Sequence, residues 1–548
     1  MQKLLHCIVI STILLVSCTN SPENSPGNPP SPEKKDKKIS SRNYSITTSN
    51  AYSDLFLDSS LVEKFVMEKN IPDSIAWRIR SFYNSRNFEF AWFSGDGLTE
   101  QARGFWNLHN YYTSSTADTT LDNKGLKKRM DKLIAEDTIF PSARNTSIIS
   151  TEILLTGQFI KHTLLSYQPD YVKRKEMERF VPSKKQDALY LADSLLKKKH
   201  KDDKYYEDVN PAYGLLKDQL AKYYIIQTDG GWPTILSKKK IYKKGMSAPE
   251  IVVMKKRLFL SGDLAQADST QVFDEALEKS VKKFQRFHGL EATGVVGGTT
   301  LKEMNIPVLY RIRQLLINMD RMRWLPIQPE GDLIIVNIPA FTLSVLEGNK
   351  KIFDMDVVVG KEGHNTRIFT GNLNQVVFSP YWNVPQSIVE KEILPAIKKN
   401  PDYLEKENME ITGENDSLPE IRQRPGEKNA LGKVKFIFPN SFDIYFHDTP
   451  SKSLFAKNKR AFSHGCIRLS DPVRMTKYLL RDQPEWNDAK IEDAMNNDKE
   501  KIVTIKKPVP VLITYYTAWV DEQGNLNFRE DIYGHDAELS TKMFSNPL

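Results

Sequence analysis

Cysteine is scarce in this chain, with three among 548 residues. They are Cys7, Cys18 and Cys466, too few for a framework of several disulfides. A strong charge bias is missing as well, because the formal net charge of +8 is spread over the whole length. Since no basic and aromatic stripe accompanies this charge, the sequence does not indicate a nucleic-acid-binding protein.

The apolar stretch at residues 4–16 is too short to span a bilayer comfortably, and it follows Lys3 as in a secretory signal peptide. Residues 15–18 (LVSC) resemble a lipobox, which implies a lipoprotein signal peptide at 1–18 and a lipid on Cys18. An ordinary signal peptide with an incidental cysteine stays open. Residues 19–45, rich in Pro, Ser, Asn and Lys, are typical of a disordered tether.

These features predict a periplasmic, lipid-anchored protein. Position 19 is Thr instead of Asp, so the common signal for inner-membrane retention is missing, and we expect anchoring in the outer membrane of a Gram-negative bacterium. In such a protein Cys7 leaves with the signal peptide and Cys18 carries the lipid, so Cys466 is the only free thiol. A lone thiol in an oxidising compartment is a liability unless it is buried or used.

The length predicts several cores, and the patterning predicts a multidomain α+β protein. Residues 46–247 form a helical scaffold in which three-and-four apolar spacing recurs without a catalytic cluster. His109 and His162 fit core or surface positions better than metal-ligand positions. The predicted helices are 74–86, 98–112, 147–167 and 184–198.

Residues 248–307 predict a compact helical unit of another kind. Apolar stripes at 251–258 and 277–284 indicate two short helices. The letters FQRFHGL at 284–290, GVVG at 294–297 and TTL at 299–301 resemble the peptidoglycan-binding module of the three-helix type. That resemblance implies the fold first and wall binding second, and a helical spacer that touches no glycan stays open.

Residues 308–520 are predicted to form a further domain, in which the pattern changes to strands from Asp332 onward, with a long polar insertion at 386–433. The insertion contains a possible helix at 388–399, and a segment of this length inside a compact domain suggests a lid. Residues 521–548 form an extension in which we expect one hairpin and assign no role. The predicted strands are 333–338, 341–346, 353–359, 434–438, 444–446, 502–505 and 509–516, with a helix at 471–480.

Two short segments carry the candidate chemistry, residues 447–450 (HDTP) and 463–468 (SHGCIR). A thiol attacks an amide carbonyl well only as a thiolate, so a catalytic cysteine needs a base or a positive field beside it. His447 ends a predicted strand, and the connection to Cys466 is long enough to return alongside it. We predict that His447 is the base, oriented by the backbone carbonyl or the side chain of Asp448.

The neighbours of Cys466 fit the same chemistry. Gly465 removes side-chain bulk, so backbone N–H groups there could approach an oxyanion. Arg468 would share the face of Cys466 on an extended segment and could hold a substrate carboxylate. Alternatively His447, His464 and Cys466 could bind zinc, although no further ligand stands at diagnostic spacing.

The two segments resemble the signature of L,D-transpeptidases with a YkuD-type catalytic domain. Further motifs are similar to the larger, YcbB-like branch, which joins a helical scaffold, a wall-binding module and a catalytic domain with a capping insertion. Residues 50–520 match that layout in order. The motifs are NMDRMRW at 318–324, NIP at 337–339, VGK at 359–361, PYWNVP at 380–385, PG at 425–426, NALG at 429–432, and KF with PN within 435–440.

The resemblance implies a mainly β, sandwich-like catalytic domain that acts on peptidoglycan stem peptides. Cys466 would attack the carbonyl between the third and fourth residues of a tetrapeptide, release D-alanine and form a thioester. An amine of a second stem would resolve the thioester into a 3–3 cross-link. The resemblance implies no metal and no organic cofactor, and it implies that carbapenems acylate Cys466.

The resemblance also implies a role for each site residue. His447 is the base and Cys466 the nucleophile. His464 and Gly465 belong to the wall of the oxyanion site, and Arg468 orients the pocket. Trp382, Asn383 and Asp448 are expected near the substrate.

Three other functions stay open. An L,D-carboxypeptidase of the same fold and a D-amino-acid exchange enzyme would share the thioester and differ only in the acceptor. A non-catalytic, wall-binding lipoprotein is less favoured, because decay normally erodes the nucleophile or the base and both are intact.

Overall fold

The computed structural model describes residues 39–115, 119–136, 140–166, 180–197, 211–326, 331–348, 350–415 and 418–547. The predicted signal peptide, the lipid site Cys18 and most of the tether lie outside these residues. Residues 40–45, predicted as tether, dock on the scaffold instead. The Asn43 N–H donates to the Asn84 carbonyl (2.9 Å), and the Asn43 side-chain amide donates to the Ser85 carbonyl (3.1 Å).

The N-terminal scaffold is helical, as predicted, and the predicted helices are found within four residues of their expected ends. Asp58 and Asn123 cap two of the helices by accepting a backbone N–H of the first turn,. His109 and His162 are buried against the Phe105 ring, with centroids 6.0 and 5.8 Å away. The helices are Ser59–Glu68, Asp73–Ser85, Glu100–Ser115, Lys124–Ala135, Thr146–Ser166, Ala188–Lys197 and Pro211–Thr228, and a small hairpin joins β1 (Phe93–Ser94) to β2 (Gly97–Leu98).

The helix Val308–Met322 packs with the scaffold, although the sequence predicts a catalytic domain that begins at 308. Its residues share one hydrophobic core with the helices Ala188–Lys197 and Pro211–Thr228. Trp324, just beyond it, is buried in the other scaffold core. The β-rich part starts at Asp332, where the sequence pattern changes to strands.

The module between scaffold and β domain contains three helices, as predicted from its motifs: Glu250–Leu260, Glu275–Phe287 and Gly298–Met304. Its turn is built around Gln285. The Gln285 amide donates to the Val295 carbonyl (2.8 Å) and accepts the Gly294 N–H (2.8 Å). Gly294 has φ of +75°, which favours glycine,. Gln285 and Gly294, which belong to the motif letters quoted above, thus shape this turn of the module.

The predicted catalytic domain is mainly β, as expected. Its strands are β3 (Asp332–Asn337), β4 (Thr342–Glu347), β5 (Lys350–Gly360), β6 (Thr370–Phe378), β10 (Val434–Ile437), β11 (Phe446–His447), β12 (Ala461–Ser463), β13 (Ile467–Leu469) and β14 (Lys501–Thr514). The strands do not form two separate sheets. They pair in the order β12-β5-β13-β11-β10-β6-β14-β3-β4, and β4 also pairs with β5, which closes a ring of eight strands with β12 at its edge. Closure leaves few unpaired edges.

Strand β14 replaces two predicted strands. Its pairing with β6 shifts register between Thr504 and Val509, so one strand bends where the sequence predicts a break. Pro508 lies in this interval and cannot donate to a ladder, which fits a bulge,. The helices Pro472–Leu479 and Asp488–Met495 cover the ring's core, and Asp471 caps the first of them, which was predicted at 471–480.

The insertion at 386–433 folds as a small unit of its own beside the ring. Its helical segment runs through Gln386–Ile388, a π-helical turn at Val389–Ile393, and Leu394–Lys399. Pro395 cannot donate to a preceding carbonyl, which accounts for a widened turn before it. A short helix, Tyr403–Lys406, and a sheet of β7 (Trp382–Asn383), β9 (Leu418–Gln423) and β8 (Met409–Asn415) complete the unit.

The C-terminal segment forms the expected hairpin, β15 (Ala518–Val520) with β16 (Leu526–Phe528). It continues into a helix, His535–Met543, which the sequence analysis did not predict. Both elements pack into the scaffold core that contains the helix Val308–Met322. Within the described residues, no helix combines the length and apolar character needed to cross a membrane.

Candidate active site

The pairing of β11 with β13 brings the predicted catalytic residues to one cavity wall. The two strands are parallel, with Phe446 opposite Ile467 and His447 opposite Arg468. Phe446 and Ile467 are fully buried in the core of the ring. Because side chains alternate along a strand, His447 and Arg468 face the other way, and Cys466 one residue before β13 lines the same cavity,.

His447 is held in one tautomer by its own chain. Its Nδ1 lies 2.5 Å from the carbonyl oxygen of Asp448, and since a carbonyl only accepts, Nδ1 carries the proton,. Nε2 is then the basic nitrogen. Burial, followed by the charge of Arg468, lowers the pKa of His447 to about 3, so the imidazole is neutral at neutral pH.

The thiol of Cys466 is neutral as well. Burial raises its pKa to about 11, although hydrogen bonds from Tyr445 and the charge of Arg468 act in the opposite direction. The sulfur lies 3.6 Å from the carbonyl oxygen of Asp443, to which the S–H donates. Asp443 has φ of +52°, in the left-handed region that Asp tolerates,.

Two neutral groups give a different resting state from the ionised sulfur that the sequence analysis invoked. A stable thiolate–imidazolium pair would require a thiol pKa below that of the imidazole, and burial orders the two values the other way,. From this resting state an attack by the sulfur would need a base for the thiol proton, and Nε2 of His447 is the basic nitrogen in the same cavity,.

The backbone at the thiol is shaped by Gly465 and Ser463. Gly465 has φ of +118°, which side-chain-bearing residues rarely adopt,. The Ser463 hydroxyl accepts the Gly465 N–H (3.2 Å) and donates to the Cys466 carbonyl (2.5 Å). Among the described residues none accepts a hydrogen bond from the Cys466 N–H, which leaves this donor available for an oxyanion,.

Arg468 supplies positive charge to the cavity. Its Nε is buried and has no hydrogen-bond partner among the described residues. Burial lowers the pKa of Arg468, which nevertheless stays charged at neutral pH,. A buried guanidinium with unused donor capacity is suited to a carboxylate ligand.

The insertion covers the thiol side of the cavity. His464, two residues before Cys466, has its Nε2 3.0 Å from the Glu392 carboxylate of the insertion helix. The cavity between the ring and the insertion has a volume of about 1020 Å³. Its lining includes Tyr381, Ile388, Glu392, Thr412, Glu420, Ile421, Leu431, Tyr445, His447, His464, Cys466 and Arg468.

The remaining predicted residues divide into two groups. Trp382 and Asn383 line the cavity from β7, where they pair with Gln423 and Arg422. Asp448 does not line it: its carboxylate accepts the Lys433 N–H (2.9 Å) and ion-pairs with Lys452, 2.6 Å away. Because its carboxylate is used by neighbouring loops and its carbonyl orients His447, a place near the substrate stays a prediction for Asp448.

Tyr445 and Glu392 are cavity residues that the sequence analysis missed. For Tyr445 a signal was present, since it lies two residues before His447 and shares its face. Glu392 gave no such signal, because its partner His464 is 72 positions away and lies on another element. Among the described residues, no group of three or more His, Cys, Asp or Glu side chains is arranged to hold a metal ion.

A thiol, an imidazole with an oriented tautomer and an uncommitted backbone N–H are groups that thiol-based acyl transfer uses. The site is therefore suited to one class of chemistry, acyl transfer by a cysteine nucleophile.

Comparison with known proteins narrows this class. Residues 331–509 match the YkuD family model, described as the L,D-transpeptidase catalytic domain. Residues 247–304 match a model described as "Putative peptidoglycan binding domain", and residues 78–220 match one described as "Scaffold domain". The chain thus contains an L,D-transpeptidase catalytic domain of the YkuD family together with a peptidoglycan-binding domain.

A protein of Haemophilus influenzae named "Putative L,D-transpeptidase" is 31% identical over 257 residues, which are 44% of this chain and 50% of the relative. The match therefore spans about half the length of that relative. An L,D-transpeptidase structure from Mycobacterium smegmatis is 14% identical, with 34% of this chain and 58% of the other covered and a TM-score of 0.20. An L,D-transpeptidase structure from Stackebrandtia nassauensis is 15% identical and has a TM-score of 0.22. The match covers 51% of this chain and 97% of the other.

Proposed function

We propose that the protein is a peptidoglycan L,D-transpeptidase that forms 3–3 cross-links through a thioester on Cys466. One observation carries the proposal: Cys466 and His447 share a cavity wall within a YkuD catalytic domain. The order of scaffold, wall-binding module and catalytic domain supports membership in the larger, YcbB-like branch.

In the first half-reaction, Sγ of Cys466 attacks the carbonyl between the third and fourth residues of a donor tetrapeptide. Nε2 of His447 takes the thiol proton as the C–S bond forms. The carbonyl oxygen becomes an oxyanion that accepts a hydrogen bond from the Cys466 N–H. His447 then gives its proton to the D-alanine nitrogen, the C–N bond breaks, and the thioester remains.

Donor binding is supported by the cavity's size and charge. A volume of about 1020 Å³ lies at the upper end for small-ligand sites, which suits a peptide stem,. The unpaired Nε of Arg468 offers a hydrogen bond to a substrate carboxylate beside the sulfur,. Trp382 offers an apolar wall on the side of the insertion.

In the second half-reaction, the side-chain amine of another stem attacks the thioester. His447 accepts a proton from this amine, and the proton returns to the sulfur as the C–S bond breaks. Water in place of the amine would give an L,D-carboxypeptidase, and a free D-amino acid would give an exchange enzyme. We propose cross-linking because the cavity is large and the chain carries a wall-binding module.

The wall is the proposed partner, and its location is part of the proposal. A lipid on Cys18 and the segment 19–38 would attach the enzyme to a membrane, with its catalytic domain in the periplasm. Outer-membrane attachment is proposed from Thr19, which replaces the Asp of the inner-membrane retention signal.

The test is mass spectrometry of purified stem tetrapeptides after incubation with the protein, using stems with diaminopimelate or lysine at position three. We expect a dimer that has lost one D-alanine. A tripeptide alone would indicate the carboxypeptidase, and incorporation of added D-methionine alone would indicate the exchange enzyme.

Cys466→Ala is the matched control, because it removes only the sulfur. Product formed equally by this variant would contradict a thioester mechanism. Absence of all three products from a wild-type protein whose Cys466 still reacts with iodoacetamide would contradict the proposed substrate.

A further inference from the structure

The C-terminal segment reaches the nucleophile loop through a chain of hydrogen bonds. The Tyr533 hydroxyl donates to the Gly360 carbonyl (2.6 Å) and accepts the Thr366 N–H (3.3 Å). These two residues bracket a loop after β5. Tyr533 therefore ties the ends of this loop together from a segment outside the matched catalytic domain.

Thr366 passes this constraint to the residue before the thiol. Its hydroxyl accepts the Gly360 N–H (2.9 Å) and donates to the Gly465 carbonyl (2.7 Å). Thr366 is buried, so water does not compete for either bond. The loop also packs closely, because a Cβ on Gly360 would lie 1.9 Å from the His364 carbonyl oxygen.

A fixed Gly465 carbonyl also fixes the direction of the Cys466 N–H, because both belong to the same peptide group. In a trans peptide the C=O and the following N–H point in opposite directions. Because the Gly465 carbonyl is directed at buried Thr366, the Cys466 N–H is directed away from it. Glycine at 465, with φ of +118°, has wide conformational freedom, so without an anchor this peptide could rotate,.

Tyr533 is itself held in place. The Tyr515 hydroxyl accepts the Tyr533 N–H (2.9 Å) and donates to the Asp531 carboxylate (2.7 Å), and the two tyrosine rings stack at 5.8 Å. Tyr515 follows directly after β14 of the ring. The hydroxyl of Tyr533 is thus positioned from the ring and from the C-terminal segment together.

We propose that Thr366 and Tyr533 are positioning residues for acyl transfer, which orient the Gly465–Cys466 peptide so that the Cys466 N–H meets the oxyanion. The inference rests on the proposed function and gives the segment 521–548 a part in it. The ligand of this donor is the anionic oxygen of a tetrahedral thiol adduct. Neither residue touches the substrate.

Two reagents separate this role from a general structural one. p-Nitrophenyl acetate acylates the thiol through a tetrahedral oxyanion, with p-nitrophenolate leaving and the thiol proton passing to His447. Iodoacetamide alkylates the same sulfur by displacing iodide, and no carbonyl oxygen gains charge. Loss of the oriented N–H should therefore slow the first reaction and spare the second.

The variants are Thr366→Val and Tyr533→Phe in the full chain. We expect acylation to fall about 10- to 100-fold for Thr366→Val, less than the loss of an entire oxyanion donor, and roughly 3- to 10-fold for Tyr533→Phe. Alkylation should change by less than about twofold. Thr366→Ser keeps the hydroxyl and should restore acylation.

Tyr224→Phe is the matched control, because it also removes a tyrosine hydroxyl hydrogen bond (2.9 Å to Asp193) but lies in the scaffold. It should change neither rate. Unchanged acylation in both test variants, or equal losses of acylation and alkylation in variants with a wild-type melting temperature, would overturn the inference. A wild-type protein acylated by the ester but inert toward stem peptides would refute the proposed function alone.

Discussion

The imidazole of His464 lies 3.0 Å from the carboxylate of Glu392, so the nucleophile loop and the covering insertion are joined beside the thiol. Both side chains are partly exposed, 31% for His464 and 52% for Glu392. A contact of this kind contributes about 0.2–1 kcal/mol, which is enough to bias a lid without locking it.

We therefore expect Glu392→Gln to make Cys466 more accessible to a bulky reagent. Labelling by fluorescein maleimide should become about 1.5- to 5-fold faster, and labelling by small iodoacetamide should stay the same. Glu390→Gln is the control, since Glu390 is exposed on the same helical segment and does not line the cavity. Equal rates in the two variants would argue against a latch at Glu392.

Replacement of Cys466 by serine tests the nucleophile. The change alters one atom in a half-buried position, so the melting temperature should shift little. A hydroxyl is a much weaker nucleophile than a thiol beside this base, and we expect release of D-alanine to fall by at least about 10³-fold. The measurement is mass spectrometry of stem peptides together with thermal unfolding. Activity within a few fold of wild type would exclude covalent catalysis by the sulfur.

The order of the two pKa values predicts a particular pH profile. Because burial raises the pKa of Cys466 to about 11, the thiolate population grows about tenfold per pH unit through neutrality,. The rate of alkylation by iodoacetamide should climb steadily from pH 6 to pH 9. A plateau beginning near pH 7 would reveal a preformed ion pair and contradict the neutral resting state.

His447→Gln separates the base from the thiol's own acidity. With its pKa lowered to about 3, His447 is neutral above that pH and adds no charge beside the sulfur. The variant should keep the rising alkylation profile but lose about 10²- to 10⁴-fold in acylation by p-nitrophenyl acetate, since the proton acceptor is gone.

Sequence reasoning located the elements whose pattern is local. Alternating Val434 and Phe436 predicted a strand, which the structure has as β10, and three-and-four spacing predicted the scaffold helices. The hairpin of β8 and β9 was missed because its strands are mostly exposed or half-buried and lack a run of alternating buried apolar residues. Closure of the ring was missed because it depends on the pairing of β4 with β5. The same pairing would also be allowed in a sandwich of two sheets, so it does not predict a closed ring.

The same limit applies to the site. His447 and Cys466 stand in recognisable motifs, whereas Thr366 contacts Gly465 across 99 positions and Tyr533 contacts Thr366 across 167. No spacing rule links such residues. Whether the orienter of His447 was the carbonyl or the carboxylate of Asp448 also required the backbone geometry at that residue.

His109 predicts an acid sensitivity in the scaffold. Burial lowers its pKa from 6.5 to about 4, so between these values the unfolded chain binds a proton that the folded chain does not,. Stability should therefore be lost as pH falls below 6.5, by on the order of 2 kcal/mol at pH 5. Urea unfolding followed by tryptophan fluorescence should show His109→Gln losing less stability than wild type between pH 7 and pH 5. If the free energies of unfolding of His109→Gln and wild type differed by the same amount at every pH, this role of His109 would be refuted.

The module matched at residues 247–304 can be tested by deletion, because its two ends lie close together. Ile235 and Asn305 exchange two hydrogen bonds, of 2.8 and 3.0 Å, so the chain enters and leaves the module at adjacent points. A Gly-Ser-Gly linker can replace residues 236–304. If the module binds the wall, this deletion should abolish pull-down on isolated sacculi and leave alkylation of Cys466 unchanged. Arg529→Ala is the control, because it loosens the module's contact with the C-terminal hairpin (3.0 Å to the Phe287 carbonyl) while keeping the module. Full pull-down after the deletion would make the module a spacer.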